Sequence, residues 1–323
     1  MKAVQAVAAG DAREVLRVTD LEPPAGPSAG EVVVDVEYAP LNKHDLLAIG
    51  GYLPVPSPPW VPGNEGTGIV SAVGEGVTDV GVGDRVALPL MRGTWREQLA
   101  VPADGMFPLP AADPRQLAMI GSNPPTAVLA LTEFVDVRPG SFVVQNAGNS
   151  GVGRSMIAVA HARGLRTVSF ARNEATFAEL TAAGADLVLP DRPESVDAAR
   201  KFIGDAPVRV AIDAVGGPST ENLTALLTDG GALVAYSAES GSALSVPYAH
   251  LTGKHLTARG FFAGEWDYAT KVAPAIREVA PLIAAGKLTV PVAGVYPLDE
   301  IGAALDHLHR GTGKILLAVK AAG

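Results

Sequence analysis

The middle of this chain carries a glycine-rich turn between an apolar run and a helical pattern. Phe142–Val144 predicts a short buried strand, and the turn after it contains three glycines. The helical pattern leads into a second apolar run, Thr167–Ala171. Glycine lets a backbone turn sharply and approach a pyrophosphate, and a helix N-terminus offers unpaired N–H groups to it. A βαβ unit of this kind binds a dinucleotide, and the residues predicted to bind it are Gly148, Asn149, Ser150, Gly151, Val152 and Gly153.

The residue that follows the second apolar run indicates which dinucleotide is bound. A site for NAD usually has Asp or Glu there, about 20 residues after the turn, to bind the ribose 2′-hydroxyl. Here Arg172 follows Ala171, and the nearest acid, Glu174, comes after it. A guanidinium offers paired donors to a 2′-phosphate. The sequence therefore favours NADP(H) over NAD(H), the alternative being that Arg172 is simply solvated at a strand end.

Composition excludes several kinds of partner and site. The 323 residues are enough for two domains with a large core. The net charge of -9 argues against nucleic acid, and the absence of cysteine excludes disulfides, a thiol nucleophile and cysteine-bound metal. No apolar run approaches the ~20 residues of a membrane helix. Met1–Gln5 begins a strand pattern rather than a signal peptide, so we expect no nucleic-acid or membrane partner and a cytoplasmic location.

The sequence pattern predicts two regions with different secondary structure along the chain. The first part has short strand patterns punctuated by proline and glycine, namely Val32–Tyr38, Gly68–Val73 and Asp84–Leu90. Residues 54–62 hold five prolines and predict a loop that borders a site. From about Pro114 strands and helices alternate, which predicts a doubly wound parallel sheet. Its strands are Phe142–Val144, Thr167–Phe170, Leu187–Leu189, Val208–Ile212, Ala232–Tyr236 and Leu256–Gly260.

The end of the chain has its own pattern. A helical stretch runs from Ala269 to Ala285 and is kinked or restarted at Pro274. It leads into Val290–Val295 and a last helix–strand pair that ends at Val319.

Three further motifs lie in the first part of the chain, before the glycine turn. They are Val61–Val70 (VPGNEGTGIV), Val73–Val77 (VGEGV) and Val82–Val86 (VGDRV). With the glycine turn, they resemble the medium-chain dehydrogenase/reductase superfamily, whose members join a GroES-like β domain to a Rossmann domain. The resemblance implies an α/β fold with a GroES-like β-rich domain and a doubly wound parallel sheet. The GroES-like domain would comprise residues 1–118 and 263–323, and the Rossmann domain residues 119–262.

Within that superfamily the chain looks most like the mitochondrial-type 2-enoyl thioester reductases. The matching motifs are Gly93–Arg96, Asn123-Pro124 with Thr126-Ala127, Gln145–Gly153, Gly164–Thr167, and Gly260–Phe262 with Trp266. The resemblance implies that NADPH reduces the C=C bond of a 2-enoyl thioester or related enone. The quinone oxidoreductase branch is similar in outline, so NADPH:quinone oxidoreductase is the alternative. Relatives commonly dimerise through the Rossmann sheet, which implies a homodimer.

The resemblance also implies a reaction without metal. Zinc-dependent members of the superfamily have a ligand Cys where this chain has Asn42, and a ligand His where it has Asn64. His44 remains between them in the sequence, and we expect a surface or hydrogen-bonding role for it. No zinc site is therefore expected.

Roles for single residues follow from the same resemblance. Tyr52 would be the catalytic acid, although quinone reductases often carry a Tyr there and a loop aromatic is the alternative. The substrate-binding residues would be Asn42, Trp266 and Phe262, and the further cofactor-binding residues Thr126, Tyr236, Phe261 and Lys314. Turn, capping, core or exposed surface roles remain open for Asn42, Thr126, Trp266 and Lys314. Phe262 replaces the Trp of the resembled reductases, which leaves smaller enoyl or enone substrates open.

Overall fold

The computed structural model describes residues 1–311 and 313–320 and divides the chain into two units. The first unit comprises Met1–Ser122 with Trp266–Gly323, and the second comprises Asn123–Glu265. The boundaries expected from the sequence were 118/119 and 262/263. Thr312, within the last segment of the expected GroES-like domain, and residues 321–323 lie outside the described residues.

The strands of the described residues are, in chain order, β1 (Lys2–Ala6), β2 (Leu16–Asp20), β3 (Glu31–Leu41), β4 (Thr67–Val73), β5 (Arg85–Ala87), β6 (Gln98–Pro102), β7 (Phe142–Gln145), β8 (Arg166–Ala171), β9 (Leu187–Pro190), β10 (Val208–Asp213), β11 (Ala232–Ala235), β12 (Thr257–Gly260), β13 (Val292–Pro297) and β14 (Lys314–Ala318). The α-helices are α1 (Ala12–Val15), α2 (Lys43–Ile49), α3 (Pro114–Leu117), α4 (Asn123–Ala130), α5 (Gly151–Ala162), α6 (Phe177–Ala182), α7 (Ser195–Ile203), α8 (Pro218–Leu226), α9 (Tyr248–Gly253), α10 (Ala273–Ala284) and α11 (Ile301–Arg310). None of the helices in the described residues has the length and apolar character needed to cross a membrane.

The second unit is built on one six-stranded sheet. Its order is β12-β11-β10-β7-β8-β9, and every neighbouring pair is parallel. This is the strand order of dinucleotide-binding doubly wound sheets. From β7 the chain adds β8 and β9 on one side and then β10, β11 and β12 on the other, so the topological switch point lies between β7 and β10. All six predicted strands are present, and none differs from the prediction by more than one residue at either end. The predicted α/β class with a parallel sheet is confirmed.

The first unit is mainly antiparallel. Its main sheet has the order β13-β14-β3-β4-β5, and β6 also pairs with β3. The eleven-residue β3 is its centre, and Val32, Val34 and Val36 are completely buried in the core beneath it. Val33 between them is buried as well, and because successive side chains point to opposite faces, this part of β3 is covered on both sides. Strands β1 and β2 form a separate antiparallel pair.

The helical pattern after residue 268 divides as the proline predicts. A π-helical turn, Tyr268–Val272, precedes α10, which begins at Ala273. Pro274 is the second residue of α10, and because its missing N–H cannot donate to the helical turn before it, the stretch changes from π-helix to α-helix there. The third predicted strand of the first unit is shorter than expected, because only Arg85–Ala87 of Asp84–Leu90 pairs with β4.

Candidate active site

The glycine turn joins β7 to the N-terminus of α5. Ser150 is the N-cap residue of α5, and its hydroxyl oxygen accepts a hydrogen bond of 3.0 Å from the Gly153 N–H. The other N–H groups of a first helical turn have no partner within the helix, and they carry the positive end of the helix dipole. Asn149 lies at the surface of the turn, and Val152 is buried beneath it. This geometry suits a phosphate group.

The glycines of the turn are required by close approach rather than by a left-handed backbone. The residue of the turn with positive φ is Ala147, at 46°, and not one of the glycines. A Cβ on Gly153 would lie 2.5 Å from the Gly148 carbonyl oxygen. A Cβ on Gly148 would lie 2.9 Å from the Ser169 Cβ. The turn therefore contacts the backbone of α5 and the Ser169 side chain of β8 too closely for a Cβ at either glycine.

Two buried amides hold the turn to the strands on both sides of β7. The Gln145 Nε2 donates to the Ser169 Oγ of β8 at 2.9 Å and to the Gly153 carbonyl at 3.0 Å. The Asn146 Nδ2 donates to the Asp213 carboxylate at the end of β10 at 2.7 Å. Asp213 is completely buried, and sequence analysis did not single it out. These bonds fix the turn at the point where the strand order reverses.

The hydroxyl of Tyr236 lies at the same turn. Tyr236 follows β11, is half-buried, and its phenol interacts with the side chain of Ser150. Burial of the hydroxyl raises the pKa of Tyr236 to about 12. The phenol therefore keeps its proton at neutral pH and remains a hydrogen-bond donor.

Asn123 presents an orphaned donor beside the turn. It begins α4, and its Nδ2 atom is buried without a hydrogen-bond partner among the described residues. A Cβ on Gly151 would lie 2.8 Å from this atom, so α4 and α5 are in direct contact there. A buried donor without a partner is costly, and a polar ligand group at the turn would satisfy it. Thr126 lies in the same helix and is also buried.

The remaining predicted residues of the second unit have different environments. Arg172 is exposed immediately after β8, and no carboxylate in the described part of the chain forms an ion pair with it. Phe261 is buried, and its ring makes an edge contact with Phe134 at a centroid distance of 5.5 Å. Phe262 is half-buried. Arg172 is thus available to an anionic group, whereas Phe261 contributes mainly to packing.

In the first unit, Asn42 is the centre of a buried polar cluster. It is the N-cap residue of α2, and its Nδ2 donates to the Glu65 Oε1 at 2.9 Å. The ammonium of Lys314 donates to the Asn42 Oδ1. Glu65 is completely buried, and its second oxygen accepts from the Ser122 N–H at 2.8 Å. Lys314 is therefore not the exposed lysine that the sequence left open, and Glu65 was missed by sequence analysis.

Burial dominates the ionisation of this polar cluster. It raises the pKa of Asp45 to about 7, although the carboxylate accepts a 2.8 Å hydrogen bond from the Asn42 N–H. Burial also raises the pKa of Glu65 and lowers that of Lys314, and the two groups partly offset each other through their opposite charges. The cluster therefore contains one group, Asp45, whose protonation changes near neutral pH.

Asparagine side chains occupy the two positions at which zinc-dependent members of the resembled superfamily have metal ligands. Asn42 makes the bonds described above, and Asn64 is buried, its backbone carbonyl accepting the Met91 N–H at 2.8 Å. In the described part of the chain, no group of three or more His, Cys, Asp or Glu side chains is arranged to hold a metal ion. That the reaction proceeds without metal stays a prediction from the sequence.

Tyr52 and Trp266 lie in less constrained surroundings. Tyr52 follows α2 in a loop, its N–H donates to the Leu47 carbonyl at 2.9 Å, and 79% of its surface is exposed. Trp266 is half-buried, and the Lys271 ammonium lies 5.6 Å from the centre of its ring. The phenol of Tyr52 is thus accessible to a substrate.

Family models match both units. Residues 28–111 match the model of the alcohol dehydrogenase GroES-like domain, and residues 151–280 match that of the zinc-binding dehydrogenase. Together with the parallel sheet and the glycine turn at the N-terminus of α5, these matches define the class of protein. The chain belongs to the medium-chain dehydrogenase/reductase superfamily.

Curated relatives narrow the assignment further. The chain is 35% identical over 309 residues to the mitochondrial enoyl-[acyl-carrier-protein] reductase of Bos taurus, covering 92% of this chain and 82% of the relative. It therefore belongs to the family of these enoyl reductases, as the resemblance implied.

Solved structures share the fold. Escherichia coli quinone oxidoreductase, solved in complex with NADPH, is 28% identical with a TM-score of 0.85 over 99% of this chain and 100% of that one. The mitochondrial 2-enoyl thioester reductase heterodimer of Candida tropicalis is 24% identical with a TM-score of 0.87 over 98% and 99%.

Proposed function

We propose that this chain is an NADPH-dependent reductase of the C=C bond of 2-enoyl thioesters or related enones. The observation that carries the proposal is the glycine turn at the N-terminus of α5 with the exposed Arg172 after β8, in a chain whose curated relatives are named enoyl reductases. The turn fits the pyrophosphate of a dinucleotide, and the exposed guanidinium fits a 2′-phosphate.

The cofactor would be held mainly by groups already in place. The turn from Gly148 to Gly153 binds the pyrophosphate, and the Tyr236 phenol and the Asn123 amide supply donors beside it. Further contacts are proposed for Thr126, Phe261 and Lys314. NADPH, when bound, supplies a hydride to the β-carbon of the acceptor.

The chain's own part in the reaction is positioning and proton supply. Hydride addition to the β-carbon moves negative charge to the carbonyl oxygen, and the α-carbon then takes a proton. The exposed Tyr52 phenol donates a hydrogen bond to that oxygen and supplies the proton. Asn42, fixed by Glu65 and Lys314, presents a rigid amide to the acceptor. Phe262 and Trp266 are proposed to shape the acyl site.

Quinone reduction is the second candidate. It is favoured by the 28% identity to the Escherichia coli quinone oxidoreductase over nearly the whole of both chains. The phenylalanine at position 262 also fits an acceptor smaller than a long acyl chain. A quinone needs no proton at carbon, so this reaction would depend less on Tyr52.

The test is NADPH oxidation, followed by absorbance, with crotonyl-CoA and with 1,4-benzoquinone. We expect crotonyl-CoA turnover in the wild type and a fall of about 100-fold in Tyr52→Phe, because general acid catalysis typically contributes that much. Tyr248→Phe is the matched control, since Tyr248 is equally exposed at 81%. Turnover of benzoquinone alone, unchanged in Tyr52→Phe, would assign the chain to quinone reduction.

A homodimer is also part of the proposal. β12 is at the edge of the parallel sheet, and all four of its residues are exposed. An open edge of this kind can pair with the same strand of a second copy. The cytoplasmic location stays a prediction, and the names of the curated relatives place those proteins in mitochondria.

A further inference from the structure

The first unit contains a cavity that none of the proposed roles uses. Its volume is about 390 Å³. The proline-rich segment Pro54–Pro62 forms one wall, Met91–Arg96 contributes to another, and His44 and Asp45 of α2 line it as well. This size lies within the range of small-molecule sites, roughly 300–1,000 Å³.

The walls of the cavity are rigid and mainly apolar. Trp60 and Val61 lie among the prolines, and Met91 and Ala48 add further apolar surface. Trp60 exchanges two backbone hydrogen bonds with Ala6, at 2.8 and 3.1 Å. Because proline fixes φ and the loop is tied to β1, the cavity is formed before any ligand arrives.

Two guanidiniums line this mainly apolar cavity. Arg96 is half-buried, its Nε donates to the Gly93 carbonyl at 2.8 Å, and burial lowers its pKa. Arg92 is exposed at the rim. In residues 1–311 and 313–320, no carboxylate forms an ion pair with either of them. A partly buried charge is costly unless it is paired, and an anion would pair it.

The one acid among the described lining residues is Asp45. Its carboxyl group accepts hydrogen bonds from the backbone N–H groups of Asn42 and Asn64. Because burial raises the pKa of Asp45 to about 7, this group is largely neutral below that pH and repels an anion weakly.

We propose that this cavity binds an apolar chain that ends in a carboxylate, with the Arg96 guanidinium as its main partner and Arg92 at the rim. The assignment rests on the proposed function, since this apolar, carboxylate-ended ligand would be the non-reacting end of the enoyl acceptor. A singly charged, planar carboxylate matches the paired donors of one guanidinium. The acceptors would then be short, carboxylate-ended enoyl compounds.

Binding is tested without cofactor or turnover. Trp60 lines the cavity, so tryptophan fluorescence is titrated with hexanoate, hexanol and butyl phosphate. We expect hexanoate to bind most tightly, and Arg96→Gln to weaken hexanoate at least about tenfold because a charged hydrogen bond is lost. Arg277→Gln is the control, since Arg277 stacks on Phe107 and does not line the cavity. Trp60→Phe should remove the signal.

Three results would overturn the assignment. Equal affinity for hexanoate and hexanol would show that no anion is recognised. Unchanged hexanoate affinity in a folded Arg96→Gln variant would exclude this guanidinium. Tighter binding of butyl phosphate would assign the site to the phosphate of a thioester carrier instead.

A second measurement separates this site from the proposed function. Two six-carbon 2-enoyl thioesters of N-acetylcysteamine, one ending in methyl and one in carboxylate, are compared as acceptors. We expect the carboxylate to lower KM about tenfold in the wild type but not in Arg96→Gln. If neither thioester is reduced while hexanoate still binds, the proposed function fails and the site stands. If both are reduced with the same KM, the site assignment fails and the function stands.

Discussion

At the scale of single residues, the most unusual environment is that of the ionisable groups near Asn42. Asp45 and Glu65 are almost completely buried, and one ammonium, that of Lys314, lies close to them. Two buried carboxyl groups and a single cation cannot all be charged without a large desolvation cost. Protons are therefore retained in this cluster at a pH at which exposed carboxyl groups have lost them.

Replacing Asp45 by Asn should change how stability depends on pH. The pKa of Asp45 is about 7 in the folded chain and 3.8 in its ordinary state, so the folded state binds more protons between these values. The contribution of Asp45 to stability therefore falls as pH rises towards 7. Asn cannot ionise. The free energy of unfolding of Asp45→Asn, measured relative to wild type, should therefore rise by about 3 kcal/mol as pH increases from 5 to 8. Urea unfolding at several pH values measures this.

Asp113→Asn provides the comparison for that experiment. Asp113 is bonded to Arg115, which holds the pKa of its carboxyl group below the usual range. Its protonation does not change between pH 5 and pH 8, so the difference from wild type should stay constant there. A constant difference for Asp45→Asn as well would show that Asp45 is ionised throughout this range.

At the scale of elements, α5 decides the geometry of the glycine turn. Its first residues contact the turn through backbone atoms, and the buried amides of Gln145 and Asn146 hold the same turn from below. The apolar runs and the helical periodicity of the sequence predicted α5 and the two strands that flank it, β7 and β8. The sequence pattern did not reveal that Ala147 carries the left-handed conformation, because the turn is set by bonds to strands β8 and β10, which come later in the chain.

Gly153→Ala should disturb this arrangement. The new Cβ would lie 2.5 Å from the Gly148 carbonyl oxygen and 2.6 Å from that of Ala147, so α5 must move away from the turn. We expect a loss of about 1–3 kcal/mol in the free energy of unfolding and at least about tenfold weaker NADPH binding. Gly302→Ala is a matched control in the first turn of α11, where the described part of the chain places no other element within 4 Å of the added Cβ. NADPH affinity unchanged in Gly153→Ala would exclude the turn as its site.

At the scale of the whole molecule, the open edge at β12 is the feature that matters for assembly. The N–H of Thr257 donates to the Gly231 carbonyl next to β11, so the alternation of a strand turns the N–H of Ala258 away from the sheet. Pairing with the same strand of a second copy would use this outward N–H.

Ala258→Pro should therefore yield a monomer. Proline removes the outward N–H and no bond within the sheet of the same copy. Size-exclusion chromatography with light scattering is expected to give a dimer for the wild type and for Ala258→Ser, and a monomer for Ala258→Pro. A monomeric wild type would contradict the homodimer, and a dimeric Ala258→Pro would place the interface away from β12.

The sequence by itself determined the parallel sheet, the position of the glycine turn and the family, because these depend on local periodicity and on motifs contiguous in the chain. Six strands were predicted to within one residue for this reason. The tertiary structure alone decided which distant residues meet. Lys314 reaches Asn42 because β14 pairs with β3, and Asp213 reaches Asn146 because β10 lies beside β7. The spacing of residues along a chain does not record such pairings, and burial, which sets the protonation of Asp45 and Tyr236, exists only once they have formed.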